Sequence, residues 1–221
     1  MIRFLTILVF VILKIQASFA QEAFRGLAEH ALSLKLEQDS VWVHEFGISN
    51  RNLIYRNQRF GVQAEFLELS HATGRKLSSR SLLELGLRYR FENGSGNNEV
   101  RLSQQFTYTK PGKNVEIEHR FRFSQRFQEQ TSFRARYRFA AILPLREPSI
   151  NKMNVKLTAE AVWEFGKDQL ASYDQRYSAV FDYTIVENMD INFGVEYRWR
   201  DFTQSPYHQA FLLTGLEFSL N

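Results

Sequence analysis

The stretch EIEHRFRFSQRFQEQTSFRARYRF, from Glu116 to Phe139, decides the fold. Apolar residues hold alternate positions in it, and charged residues fill most of the positions between. Near its end, Arg134, Arg136 and Arg138 share one row, while Tyr137 and Phe139 belong to the other. Neighbouring residues of a strand point to opposite faces, whereas a helix would scatter both sets around its circumference. The stretch therefore predicts β-strands with one charged and one apolar face.

The same alternation recurs along most of the chain. Eleven runs show it: His30–Glu37, Val41–Ser49, Arg59–Leu69, Leu82–Glu92, Asn98–Thr109, Asn114–Arg126, Thr131–Ala140, Met153–Phe165, Asp174–Ile185, Met189–Arg200 and His208–Leu220. Turn-forming residues separate several of the runs, and we expect all four prolines to lie in connections, since proline cannot donate a ladder hydrogen bond. The pattern predicts one all-β domain.

The length of the runs distinguishes two kinds of barrel. Strands of soluble proteins average about 5–6 residues, whereas a tilted strand needs about 9–11 to cross a bilayer. Many of the runs keep their alternation long enough to cross, so we expect an antiparallel up-and-down transmembrane β-barrel. Bacterial barrels of this type have even strand numbers. Twelve strands are favoured, with Glu22–Glu29 as the additional one; ten is the alternative if His30–Glu37 is not a barrel strand.

The first twenty residues, MIRFLTILVFVILKIQASFA, have the features of a secretory signal peptide. A basic Arg3 precedes a short apolar run, and Ser18 and Ala20 fit a cleavage site before Gln21. We expect residues 1–20 to be removed and residues 21–221 to form the barrel in the outer membrane of a Gram-negative bacterium. An uncleaved short anchor is the alternative. Expected partners are outer-membrane lipids and, during biogenesis, the barrel assembly machinery.

The composition excludes several classes of protein. The chain contains no cysteine, so it has neither disulfides nor a thiolate metal site. Removal of residues 1–20 takes away Arg3 and Lys14 and no acidic residue, which leaves 26 basic residues against 24 acidic ones. That balance does not suggest a partner nucleic acid. We also expect no metal and no cofactor, because neither a ligand-spaced cluster nor a phosphate-binding loop occurs.

The cost of a charge in lipid decides which face points inward. An arginine on the lipid side at mid-membrane costs about 2–4 kcal/mol, so the arginine row is expected to face the lumen. Acidic residues of the same parity, among them Glu45, Glu65, Glu84 and Glu217, are available there as partners. We predict a lumen filled by an ion-pair network of Arg88, Arg120, Arg122, Arg134, Arg136, Arg138, Glu116, Glu118, Glu160, Glu164, Arg176, Glu196, Arg198 and Arg200.

Aromatic residues near the ends of the runs suit the two girdles that membrane barrels place at the lipid headgroups. The candidates are Trp42, Tyr89, Tyr108, Trp163, Tyr183 and Trp199. The alternative is that they are ordinary strand aromatics.

Catalysis has one weak candidate. Some small outer-membrane barrels are lipid-modifying enzymes, which need a nucleophile and a neighbouring base. Strand parity places His119 on the apolar face, where a symmetric hairpin about Pro111 would set it beside Gln104. Ser103 and Ser124, the serines at that level, have the opposite parity. The sequence therefore favours a structural hydrogen bond for His119 over a catalytic role.

Several blocks resemble a family of outer-membrane proteins catalogued as domain of unknown function 2490 and common in Bacteroidota. They are Glu118–Arg122, Gln125–Phe127, Arg134–Arg138, Leu143–Leu145, Glu160–Phe165, Gln175-Arg176, Asp190–Tyr197 and the final run Leu212–Leu220. The resemblance covers most of residues 40–220 and implies a location and a fold, without an activity.

The resulting hypothesis is an outer-membrane barrel that is structural, or a narrow channel, or a binding protein for a small ligand. One alternative is a lipid-modifying enzyme of the outer membrane, either a phospholipase or an acyl-chain hydrolase or transferase. The other is a soluble periplasmic barrel that binds an apolar ligand.

Overall fold

The computed structural model describes residues 24–94, 97–146, 152–167 and 169–220, which form one closed β-barrel. Its eleven strands are β1 (Phe24–Gln38), β2 (Trp42–Arg56), β3 (Arg59–Ser78), β4 (Ser81–Glu92), β5 (Glu99–Lys110), β6 (Glu116–Phe127), β7 (Ser132–Arg146), β8 (Met153–Gly166), β9 (Gln169–Val186), β10 (Met189–Arg200) and β11 (Tyr207–Leu220). Each predicted run corresponds to one of these strands. The predicted signal peptide, residues 1–20, lies outside the described residues.

Strands that follow one another in the chain pair in antiparallel orientation, and β1 closes the barrel by pairing with β11 in parallel. We call the end where β1 begins at Phe24 the amino end, and the end where β11 finishes at Leu220 the carboxyl end. Closure pairs the backbone groups of every strand on both sides, as a barrel in lipid requires. The all-β barrel prediction is confirmed.

The number of strands differs from the expected twelve or ten. The described part of Glu22–Glu29, from Phe24 onward, does not form a separate strand; it continues into His30–Glu37 to make the single fifteen-residue β1. An odd number of alternating strands brings the first and last together in parallel. For the same reason, the two ends of the described chain lie at opposite ends of the barrel.

Irregularities occur at a few identifiable residues. Asn57 and Gln58 both have positive φ, at 52° and 61°, as expected of the tight hairpin turn between β2 and β3. Pro144, expected in a connection, lies inside β7 beside a register shift between Pro144 and Arg146. Proline has no N–H to donate, so it is tolerated where the hydrogen-bond ladder between two strands is locally interrupted.

The two faces of the barrel differ in chemistry. Every strand exposes large apolar side chains on its outward face, including Leu85 at 63%, Phe121 at 53% and Phe193 at 55% exposure. The inward face carries most of the arginines, which line a central cavity. No helix in the described ranges is long and apolar enough to cross a membrane.

The parallel closure predicts a specific cross-link. Leu32 of β1 lies directly opposite Leu216 of β11 on the outward face. A Leu32→Cys, Leu216→Cys variant should form a disulfide on mild oxidation, because bonded cysteines have Cα atoms about 4.4–6.8 Å apart. The native chain has no cysteine that could interfere.

The matched control is Leu32→Cys with Leu220→Cys, which displaces the second cysteine by four residues, or about 13 Å along the strand. Mass spectrometry after non-reducing proteolysis should detect the disulfide in the first variant alone. Equal cross-linking in both variants, or none in the first, would contradict the parallel pairing.

Candidate functional site

The lumen collects the charged residues that the sequence pattern assigns to one face. Of the predicted network, Arg88, Arg120, Arg122, Glu118, Arg134, Arg136, Arg138, Glu164, Arg176, Glu196, Arg198 and Arg200 line the cavity. Glu160 is buried at 6% exposure and forms ion pairs with lumen arginines. Glu116 shares their parity at the start of β6, but it forms no ion pair with the residues that the structure describes. The barrel thus brings thirteen of the fourteen predicted residues into its interior.

Two directly opposed pairs connect β7 and β8. Arg134 pairs with Glu164, and Arg138 donates to Glu160 at 2.9 Å. Glu160 also receives Arg176 at 3.4 Å and Arg136 at 4.0 Å, so one carboxylate serves three guanidinium groups. These are the cross-strand ladders that the alternation predicts.

A second type of ion pair joins residues two apart on one strand. Glu118 pairs with Arg120 at 3.0 Å, and Asp174 with Arg176 at 3.5 Å. Glu99 with Arg101 and Glu196 with Arg198 repeat the arrangement. Residues i and i+2 of a strand lie on the same face, so an acidic residue two positions before an arginine was a usable signal. The sequence analysis did not use it and omitted Glu99 and Asp174.

Stacked rings and guanidinium groups fill the lumen near the amino end. Arg90 lies 3.8 Å from the centre of the Phe66 ring, and Arg51 lies 4.5 Å from the same ring. Arg51 also lies 4.9 Å from Phe211, and Arg198 stacks at 3.8 Å on that second ring. Guanidinium groups favour aromatic faces when both are removed from water. The result is a continuous stack from β4 through β3, β2 and β11 to β10.

On the other side of the lumen, at the same height along the barrel axis, charged residues form a chain of ion pairs. Arg126 joins Glu99 of β5 to Glu164 of β8, and Arg200 of β10 forms an ion pair with Asp174 at 2.7 Å. Glu99 and Asp174 are only 1% and 2% exposed. We call this chain and the Arg–Phe stack together the amino-end plug. Among the described residues, no connection at the amino end contributes to the cavity lining.

Phe66 shows where the parity prediction was wrong. Strand alternation within the run Arg59–Leu69 predicts that Phe60 and Phe66 share the apolar face and that Glu65 lies among the lumen carboxylates. The β2–β3 register passes from Arg51 opposite Phe66 to Asn52 opposite Ala64, so Glu65 is an extra, bulged residue. A bulge reverses the alternation beyond it. Phe66 therefore enters the lumen, and Glu65 is not among the residues that line the cavity.

Small inward side chains form part of the cavity lining. The cavity has a volume of about 1110 Å³, and its lining includes Ser70, Ala72, Gly86 and Ser103. A Cβ atom at Gly86 would approach the Ser103 hydroxyl to 2.7 Å, so the Ser103 side chain would have to move to admit a larger residue there. The lining extends to the exposed turn residues Ser79 and Arg80. The cavity is therefore reached from the carboxyl end.

The wall formed by β2, β9, β10 and β11 is acidic. Glu217 interacts electrostatically with Glu45, Asp182 and Asp190, and with one lysine, Lys35. Within the described ranges none of these four carboxylates forms an ion pair. The opposite wall, on β4 to β7, carries Arg88, Arg120, Arg122 and Arg138. Positive and negative charge are thus separated across the cavity.

The five histidines lie on the outward face by strand alternation, and each contacts a hydroxyl group. The pairs are His30 with Thr214 at 2.6 Å, His44 with Thr73 at 3.1 Å, His71 with Thr73 at 3.4 Å, His119 with Tyr137 at 2.8 Å and His208 with Tyr197 at 2.5 Å. These contacts satisfy ring nitrogens on an apolar surface.

His119 does not lie beside Gln104 as expected. It lies opposite Tyr108, because the connection 111–115 is centred two residues beyond the predicted turn. Its hydrogen-bond partner is the Tyr137 hydroxyl. In the described part of the chain no carboxylate is hydrogen-bonded to the His119 ring to orient it as a base. No group of three or more histidine, aspartate or glutamate side chains there could hold a metal ion.

The shared carboxylate predicts a large loss of stability. Glu160→Gln keeps the shape of the side chain but removes the charge that three arginines share, so the free energy of unfolding should fall by about 3–5 kcal/mol. Urea unfolding in detergent micelles would measure it.

Glu217→Gln is the matched control, because Glu217 faces the same lumen among like charges. Its neutralisation should leave stability unchanged or raise it. Equal destabilisation by the two substitutions would contradict the ion-pair assignment.

Comparison with known proteins identifies a family for the chain. No curated protein matches the chain. The family model described as "Protein of unknown function (DUF2490)" matches residues 32–220, which includes most of β1 and all of β2 to β11. The chain therefore belongs to the DUF2490 family.

Proposed function

We propose that this protein is an outer-membrane β-barrel that is closed to through-passage and holds a small polar solute in its lumen. The solute enters from the carboxyl end, because the amino-end plug blocks the other. The observation that carries the proposal is the division of the barrel into an apolar exterior and a charged interior.

The exterior supports a lipid environment. Exposed large apolar residues occur on all eleven strands, whereas a soluble protein rarely exposes a contiguous apolar patch above a few hundred Å². The strands are 12 to 20 residues long, which exceeds the about 9–11 needed to cross a bilayer. A soluble barrel for an apolar ligand would need the reverse arrangement, with the rings inside.

Aromatic contacts near the amino end support an interfacial girdle. Outward rings on β7 to β10 and in the following connection form a row: Phe133 to Phe165 at 5.7 Å, Phe165 to Trp163 at 4.7 Å, Trp163 to Tyr173 at 6.2 Å, Tyr173 to Phe202 at 6.2 Å and Phe202 to Trp199 at 5.1 Å. Amphipathic rings prefer the headgroup level of a membrane. Trp163 and Trp199, both predicted girdle residues, belong to this row.

The interior supports binding rather than conduction. The amino-end plug consists of ion pairs and ring stacks whose members are all buried or half-buried, so an ion crossing the barrel would have to disrupt them. The cavity, at about 1110 Å³, is close to the upper end of the about 300–1,000 Å³ usual for small-molecule sites. The alternative of a lipid-modifying enzyme stays untested. His119 does not support it, because no described carboxylate is hydrogen-bonded to its ring to orient it as a base.

Fractionation and reconstitution test the proposal. The full chain, expressed in a Gram-negative host, should appear in the outer-membrane fraction, need detergent for extraction and migrate differently on a gel before and after boiling. The purified protein in a planar bilayer should give no single-channel steps. Conduction is expected only when the plug is opened, as by Phe66→Ala combined with Phe211→Ala.

Recovery in the periplasmic supernatant without detergent would contradict the membrane location. Regular conductance steps from the unaltered protein would contradict the closed lumen and favour the narrow channel. The two outcomes are independent, so each half of the proposal can fail separately.

A further inference from the structure

Opposed arginines concentrate positive charge on one wall of the cavity. Arg120 lies directly opposite Arg138 on the neighbouring strand, and Arg122 lies directly opposite Arg136. Directly opposite side chains in an antiparallel sheet have Cβ atoms about 4.5–5.5 Å apart, and like charges in that position are destabilising. Such an arrangement requires compensating negative charge nearby.

The compensation is incomplete at Arg122. Its Nε donates to the Gln105 side-chain oxygen at 2.6 Å, and in the described part of the chain no carboxylate lies within ion-pair distance of it. Among its strongest electrostatic interactions are three with other arginines, Arg88, Arg120 and Arg138, against one with Glu160.

The neighbouring carboxylates are already engaged. Glu160 is shared by three arginines, and Glu118 by Arg120 and Lys156. Glu84 interacts with Arg120 and Arg122 at longer range, but its carboxylate accepts a hydrogen bond from Gln105. Positive charge on this wall therefore exceeds what the protein's own acidic side chains neutralise by direct contact.

Four arginines face one accessible space. Arg88, Arg120, Arg122 and Arg138 all line the cavity, which continues to the turn at Ser79. Arg88 pairs with Glu68 at 3.1 Å, so Arg122 is the member of the four that has no carboxylate partner among the described residues. A solute entering from the carboxyl end would meet a guanidinium group whose charge no direct ion pair neutralises.

We propose that this wall, which we call the arginine wall and define as Arg88, Arg120, Arg122 and Arg138, binds a small oxyanion of the phosphate class. The proposal rests on the one-ended cavity of the proposed function and names the chemistry of its ligand. Guanidinium groups bind phosphate oxygens through paired, charge-assisted hydrogen bonds, which an isolated ammonium cannot reproduce. A bound anion would offset the repulsion between the opposed arginines.

The source of the phosphate is a water-soluble molecule rather than a membrane lipid. The lining near the arginine wall is mostly polar, with Ser103, Gln105, Thr107 and Thr158, and its few apolar members include Leu82 and Val180. These offer too little apolar surface for an acyl chain. The apolar surface of the barrel lies on its exterior. A lipid would have to bring its chains into a polar lumen to place its headgroup on these residues.

Thermal unfolding in a phosphate-free, non-ionic detergent tests the site. Inorganic phosphate should raise the unfolding midpoint in a saturable manner, and chloride at the same ionic strength should not. Arg122→Gln should weaken the apparent phosphate affinity at least about tenfold, as expected from losing a charge-assisted hydrogen bond. Arg122→Lys, which keeps the charge without the fork, should give an intermediate affinity. Arg75→Gln is the control, since Arg75 stacks on Trp42 at the exterior.

The unliganded variants separate a binding role from a structural one. Without phosphate, Arg122→Gln should raise the unfolding midpoint, because it removes one member of a repulsive cluster; an arginine needed for folding would lower it. No phosphate effect, an effect that Arg122→Gln retains, or a lowered midpoint in its absence would each overturn the proposal. Stabilisation by phosphatidic acid in the micelle, with none by inorganic phosphate, would also overturn it. The measurement uses purified folded protein, so its result does not depend on the fractionation.

Discussion

Alternation in a closed sheet forces a choice that the rest of this structure depends on. Each strand must turn one row of side chains into the lumen and the other outward, and rows that mix guanidinium groups with carboxylates cannot be placed against lipid without a cost of about 2–4 kcal/mol for each arginine. Once the charges are inside, every buried guanidinium needs a carboxylate, an aromatic face or an external anion. The amino end meets this need with the protein's own residues, whereas in the arginine wall Arg122 has no carboxylate partner among the described residues.

This difference divides the lumen into two structurally distinct parts. In the amino-end plug, Phe66 and Phe211 separate three guanidinium groups, and Arg126 links two carboxylates from non-adjacent strands. Paired charges and stacked rings together leave little space for solutes. Toward the carboxyl end, small residues such as Ser70 and Gly86 open the lumen, and one wall keeps unneutralised positive charge. A blocked end and a charged, accessible end suit retention of a ligand better than its passage.

Sequence alternation predicted the fold class and most of the lumen, because side chains along an extended strand point to alternate faces. Each of the eleven alternating runs corresponds to one strand, although twelve strands were expected, and Arg134, Arg136 and Arg138 lie on the inward row, where they line the cavity. What parity cannot provide is the level of a residue along the barrel axis. For that reason Gln104, the predicted neighbour of His119, was wrong. The register of a hairpin depends on the length of its connection, which alternation does not reveal.

The remaining differences between the predicted and the observed barrel come from a β-bulge in β3 and from the unbroken length of β1. The extra residue Glu65 reversed the alternation in β3, which moved Phe66 from the expected exterior to the interior. The expectation of an even number of strands assumed that both termini lie on one side, and the long β1 with its parallel closure departs from that rule. Membership of the DUF2490 family agrees with the overall pattern and assigns no activity, so the function proposed for this chain depends on its geometry.

The orientation of the two rows is the central claim, and spin labels on β5 test it most directly. Single cysteines at Leu102, Gln104 and Phe106, which are exposed outside, and at Ser103 and Thr107, which line the cavity, would each carry a nitroxide in lipid vesicles. The account predicts that the first three labels are relaxed more by oxygen, which concentrates in lipid, and the other two more by a water-soluble nickel complex. The reverse pattern, or nickel access at all five positions, would contradict it.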